Sequence, residues 1–255
     1  MCFMLNRVWG PWPSLCGVVF CVGALLGGHS ARAARPMITD DARTVDAKAC
    51  QVETWLQNDF GSTEYWALPA CNFSGTLELT LGGALNKESA KKTQVANIVL
   101  QGKTLFKALE PNGWSVGMAF GYMRRPLIHT SRNLFGNLYA YIPASFAFFE
   151  ERLVMHLNLG WLYETLAEQR GQHRMSWGMG SETQLSERSW LIAEIFGQNK
   201  GRPFYQVGLR LWLVPEHVQL DATFGDQWGK NTLNSTAGER WFSIGLRLLS
   251  PPFLP

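Results

Sequence analysis

The chain has 255 residues, 46% hydrophobic, 13% aromatic and only 17% charged, against about 25% charged in an ordinary soluble domain. The formal charge of +3 is not gathered into a basic block, which excludes an electrostatic nucleic-acid binder. After the first 33 residues no segment stays apolar for the roughly 18 residues that mark a helical span, so helical membrane crossing is excluded too.

Residues 1–33 read as an export signal. Arg7 is the one charge near the start, an apolar stretch that includes Leu15 to Leu26 follows, and Ala31-Arg32-Ala33 sets small residues at the two cleavage-determining positions. The mature chain is expected to begin at Ala34. Pro11, Pro13, Gly27, Gly28 and His29 keep the apolar run below the ~20 residues of a membrane anchor. Cys2, Cys16 and Cys21 leave with the signal. Cys50 and Cys71 stay, and an exported pair is expected to form a disulfide.

A polar, irregular lead covers residues 34–49. From Cys50 onward, apolar and polar residues alternate with a period of two, the strand signature. Val218-Gln219-Leu220-Asp221-Ala222-Thr223-Phe224 shows it, as does Phe242-Ser243-Ile244-Gly245-Leu246-Arg247-Leu248. About twelve strands are expected, near 50–59, 62–72, 75–85, 92–108, 113–123, 135–149, 152–163, 172–181, 188–197, 203–214, 217–226 and 239–249. If Phe60-Gly61 makes the first hairpin turn, facing residues have numbers summing to 121. Cys50 and Cys71 then oppose each other, with Val52, Thr54, Leu56, Tyr65 and Ala67 on one face and Gln51, Glu53, Gln57 and Glu64 on the other.

Some connectors are tight: Glu110-Pro111-Asn112-Gly113, Glu150-Glu151 and Pro215-Glu216. Others are longer and polar, at 86–91, 124–134, 164–172 and 226–238. Short turns on one side and long loops on the other suit an outer-membrane barrel, although 181–187 is long for a short-turn side. Pro69 and Pro143 fall inside strands and predict bulges or strand ends. Trp114, Trp161 and Trp177 fall on the apolar face near strand ends, where amphipathic rings sit at a membrane interface. Trp55, Trp66, Trp190, Trp212 and Trp241 fall on the inner face and would narrow the lumen.

The fold class expected is therefore all-β: a transmembrane antiparallel up-and-down β-barrel, residues 50–255, behind a periplasmic or plug segment at 34–49. The same parity places Glu53, Glu64, Glu78, His156, Arg174, Glu194, Arg210, Asp221 and Arg247 on the lumen side. Their mixed signs favour internal salt bridges over an ion-selective pore. Thr39, Asp40 and Asp41 are plug candidates whose carboxylates could meet an inner-face arginine such as Arg247 or Arg210, cap the periplasmic rim, or bind a divalent cation.

His129-Thr130-Ser131 resembles the His-x-Ser of lipid A deacylases, and Gly113-Trp114-Ser115-Val116-Gly117 fits GxSxG, but that motif works at a strand-to-helix elbow and here lies along a strand. No HExxH, Walker loop or His/Cys cluster occurs, so no metal, cofactor or catalytic residue is expected.

Arg35-Pro36-Met37-Ile38-Thr39-Asp40-Asp41-Ala42, with Asp46, Ala47 and Cys50-Gln51-Val52-Glu53-Thr54-Trp55, resembles the opening of a bacterial outer-membrane family labelled for the meta-pathway of phenol degradation and described as transporter-like. The resemblance implies an outer-membrane location and passage of small molecules, hydrophobic or aromatic ones included. The Cys50–Cys71 pair departs from that family's pattern. The partners expected are outer-membrane lipid and lipopolysaccharide and a small solute, with no nucleic acid. The rival readings are a closed structural or adhesive barrel, an outer-membrane acyl hydrolase and a soluble periplasmic ligand-binding barrel.

Overall fold

The computed structural model describes residues 37–88, 91–127, 136–166, 169–229 and 240–255. Twelve strands follow one another: β1 (Cys50–Asn58), β2 (Ser62–Asn72), β3 (Glu78–Glu88), β4 (Gln94–Lys107), β5 (Trp114–Arg124), β6 (Asn137–Phe148), β7 (Leu153–Leu166), β8 (Gln169–Ser186), β9 (Ser189–Gln198), β10 (Phe204–Val214), β11 (Val218–Gln227) and β12 (Trp241–Leu249). Each pairs antiparallel with its sequence neighbours, and β1 pairs with β12 from Gln51↔Leu249 to Asn58↔Phe242, which closes the barrel. Closure leaves no unpaired sheet edge, as a hydrocarbon surround requires.

The alternating sequence is turned inside out relative to a soluble barrel. Leu81, Leu159 and Leu209 are each more than half exposed on the outer face, while Glu53, Glu78, Arg210 and Asp221 are buried inside. Solvating a whole outer wall of such side chains in water would cost about 25 cal/mol per Å², over an area far beyond the few hundred Å² of a soluble monomer's largest apolar patch. The fold is a transmembrane barrel.

The first hairpin has the register that places Cys50 opposite Cys71, and the two form a disulfide. The turn closes as Asp59 accepts the Ser62 amide on its carboxylate, with Phe60 at positive φ. At the other end of β1 and β2, beside the disulfide, the C-terminal tail docks, the Phe253 amide donating to the Lys48 carbonyl. We call this the terminal end of the barrel. β5 and β11 end, and β6 and β12 begin, at the opposite, distal end, which also carries the Phe60 turn.

Three expectations change. Residues 181–187 are not a long turn: β8 runs on to Ser186, because Glu182 and Gln184 continue the inner-face alternation and pair with β9. Likewise β7 and β8 extend to 166 and from 169, so the expected loop at 164–172 is mostly strand. Pro69 and Pro143 mark neither bulges nor strand ends. Pro143 faces Asn158 in an unbroken β6–β7 register, and the pairing opposite is interrupted only between Val116↔Ala144 and Ala119↔Tyr141, where the missing N–H removes a ladder bond. The irregularities fall elsewhere, as between Leu105 and Lys107. The expected export signal, residues 1–33, and the His129/Ser131 candidates lie outside the described residues.

Candidate functional site

Eight strands close a barrel whose interior side chains fill; more strands leave a wider lumen. Here the residues ahead of β1 fill part of that space. Residues 37–48 leave the terminal end, rooted where the Lys48 amide donates to the Asn72 carbonyl and Asn72 Nδ2 donates to the Val45 carbonyl, and run into the lumen as a strap. Met37, Thr39, Asp41, Ala42, Arg43 and Val45 are all buried.

The strap has no helix or ladder to satisfy its amides, so the wall supplies acceptors. Glu194 on β9 takes the Ile38 amide at 2.9 Å and the Thr39 amide at 2.7 Å. Ser145 Oγ on β6 takes the Ala42 amide at 2.8 Å, and Glu78 on β3 takes the Val45 amide at 2.8 Å. Lys103 Nζ on β4 donates to Asp40 and Asp41 at 3.1 and 3.2 Å, and the Tyr141 hydroxyl donates to Asp40. Asn158, oriented to satisfy both groups, brackets the Asp40 backbone. Arg43 pairs with Glu151 in the β6–β7 turn at 2.9 Å. A Cβ on Gly178 would lie 2.5 Å from Thr39 Oγ1, so only glycine leaves room for the strap there.

Lys103 is thus an ion-pair partner of both plug carboxylates. Arg210 is engaged across the barrel wall: Nη1 lies 2.6 Å from Glu182 and Nε 3.1 Å from Asp221, with Gln219 Nε2 donating to Asp221. Arg247 Nε donates to Gln51 at 2.7 Å and lies 3.8 Å from Glu53. Between strap and wall is a polar pocket lined by Asp40, Asp41, Glu53, Glu78, Lys103 and Arg247 among others. No cluster of His, Cys, Asp and Glu suited to a metal occurs among the described residues.

Ser145 Oγ lies 2.8 Å from His156 Nδ1, and His156 Nε2 lies 3.3 Å from Glu182. Serine, imidazole and carboxylate come in the order of a nucleophilic triad. Ser145 is completely buried beneath Ala42, however, and its Oγ already accepts the strap amide. No acyl group reaches it with the strap in place, and the set braces the wall.

The distal half of the lumen differs. Trp55 and Trp66 stack at 5.1 Å, Phe196 and Phe204 at 5.8 Å with Trp241 against both, and Tyr139 and Tyr141 at 6.2 Å. Glu64 accepts the Trp66 indole N–H, and Arg174 lies 3.7 Å from Glu164.

All nine ionisable residues assigned to the lumen by parity lie on the inner face, seven of them in the terminal half or at mid-height and Glu64 and Arg174 in the distal half. The ionisable residues chosen by parity did not include Lys103 or Glu182, and the neutral Tyr141, Ser145 and Gln219 were not singled out. Glu182 was lost because its stretch read as a turn. Lys103 was lost because Val99 and Gly102 blur the alternation of β4. Trp114, Trp161 and Trp177 face outward; Trp114 begins β5, and Trp177 opposes Gly197 near the distal end of β9.

Known structures share this architecture at low sequence identity. The KdgM porin superposes with a TM-score of 0.56 at 9% identity, over 78% of this chain and 98% of that one. The NanC porin gives 0.55 at 8%, over 78% and 98%. The COG4313 outer membrane channel from Pseudomonas putida F1 gives 0.51 at 10%, over 82% and 98%. At these identities the likeness is one of fold. No curated protein matches the chain in sequence. A family model does, over residues 21–249, and the chain accordingly belongs to the family described as uncharacterised conserved protein UCP029691.

Proposed function

We propose that this chain is an outer-membrane conduit for small molecules whose terminal half is closed by its own N-terminal strap. The terminal end, with its shorter turns, faces the periplasm in this reading, and the distal end faces out. One observation carries it: the strap is held in the lumen by point-like polar contacts to Glu194, Ser145, Glu78 and Lys103 rather than by continuous apolar packing. Three of these four partners are charged, so each contact holds more firmly than a neutral hydrogen bond, about 1.5–3 kcal/mol, but the contacts are few and separate, so the strap can be released as a unit without unpairing any strand of the wall. The fold shared with porins and channels supports the reading, and the sequence resemblance supports hydrophobic or aromatic solutes among those passed.

The test is planar-bilayer conductance of the refolded mature protein, intact and with residues 37–45 deleted. The intact chain is expected to give rare or small steps and the deletion frequent, larger ones. A deletion variant that inserts and stays silent would sink the conduit. It would favour the second reading, a closed structural barrel, to which the buried Glu182–Arg210–Asp221 set lends support.

A further inference from the structure

We propose that the distal half of the lumen holds a binding ledge for an uncharged ring with one flat apolar face and a hydroxyl-bearing edge. The proposal rests on the conduit reading and names the class of solute its outer half takes up.

The ledge is an arc across six neighbouring strands. Phe196 on β9 and Phe204 on β10 stack with 18° between their planes. Trp241 on β12 lies over Gly225 of β11, where a Cβ would come within 2.1 Å of its ring. Trp55 on β1 and Trp66 on β2 continue the arc, 6° from parallel. The glycine lets the Trp241 ring lie flat along the wall, and two indole N–H groups of the arc are tied down at their edges, Trp241 to Gln206 at 2.7 Å and Trp66 to Glu64 at 2.8 Å. Edges are thus fixed to the wall while Trp55, Trp66, Phe196 and Phe204 remain only half-buried. Water-filled lumens do not call for aromatic faces; rings that do stack on such faces gain contact area at little entropic cost.

The polar groups beside the arc are amides. Gln57, Gln198 and Gln227 share its inner face, next to Trp55, Phe196 and Phe204 respectively by strand position or register. An amide both donates and accepts, as a hydroxyl does. The charges nearby are two ion pairs, Arg174 with Glu164 and Arg240 with Asp226, and the Glu64 carboxylate on the Trp66 indole, so these groups offer no excess positive charge to an anionic solute. Below the ledge the strap forms a floor at Asp40 and Tyr141.

Phenolic rings and neutral sugars both carry this chemistry. The full mature protein in detergent micelles is titrated calorimetrically with phenol and with maltohexaose, using trigalacturonate as the charged control. Saturable binding of either neutral probe is expected, and which one saturates names the source. Phe204→Ala and Gly225→Val should each weaken it about three- to tenfold, the size of one lost stacking contact, while outward-facing Trp114→Ala leaves it unchanged. Heat-modifiable gel mobility checks that each variant is folded. No saturation by either neutral probe, saturation indifferent to both lumen variants, or tighter binding of trigalacturonate overturns the ledge. Because the readout is binding, a silent strap deletion removes the conduit without touching this result.

Discussion

The two halves of the lumen are lined by different residue types although the strands run through both. In the terminal half, carboxylates and cations are buried and matched to one another or to strap amides: Arg210 with Glu182 and Asp221, Lys103 with Asp40 and Asp41. In the distal half, stacked aromatic rings and glutamines line a space where side chains stay half-exposed. The difference shows how one barrel both closes and receives. Ion pairs removed from water hold a geometry strongly, because breaking one strands a charge, whereas aromatic faces and amides hold a visitor without demanding one.

The sharpest way to break the comparison is Arg210→Met. It leaves Glu182 and Asp221 buried without their guanidinium and should cost about 3–5 kcal/mol in urea unfolding from micelles; adding Glu182→Gln and Asp221→Asn should recover much of the loss. A cost under about 1 kcal/mol for Arg210→Met alone would show that the terminal half is as wet as the distal half. Next in size is loss of the disulfide. It closes a separation of 21 residues, and Cys50→Ser with Cys71→Ser should remove about 3 kcal/mol by the chain-entropy account, without changing conductance, since the bridge lies on the outer face.

Gly178→Val drives a side chain into Thr39 and should strain the strapped state by about 1–3 kcal/mol. Its expected signature is a rise in channel openings, the same direction as Lys103→Met, which takes the ammonium away from Asp40 and Asp41. Unchanged closure in both would show that the strap is held by its backbone contacts alone. The smallest effect belongs to Arg174→Met in the distal half. That pair spans 3.7 Å with both side chains nearly one-fifth exposed, and its loss should cost under about 1 kcal/mol. Measured beside Arg210→Met, it gives the contrast between the halves directly.

Strand positions and faces were legible because lipid outside and a polar lumen inside impose a period of two that each residue reports by itself. Val218 to Phe224 needs no partner to be read, and the Cys50–Cys71 register follows from a turn and two cysteines. β8 shows where the reading fails: of its last residues, Ser181 to Ser186, only Leu185 is apolar, too little alternation to mark them as strand, and Glu182 was lost with them. What parity determined is which residues face inward. Which of them meet was decided by tertiary structure, since pairing across a closed lumen depends on the stagger of strands far apart in sequence and on the path of residues 37–48. Parity alone does not choose among the inner-face cations for Asp40; the strap passes β4 and β6, and so Lys103 and Tyr141 hold it.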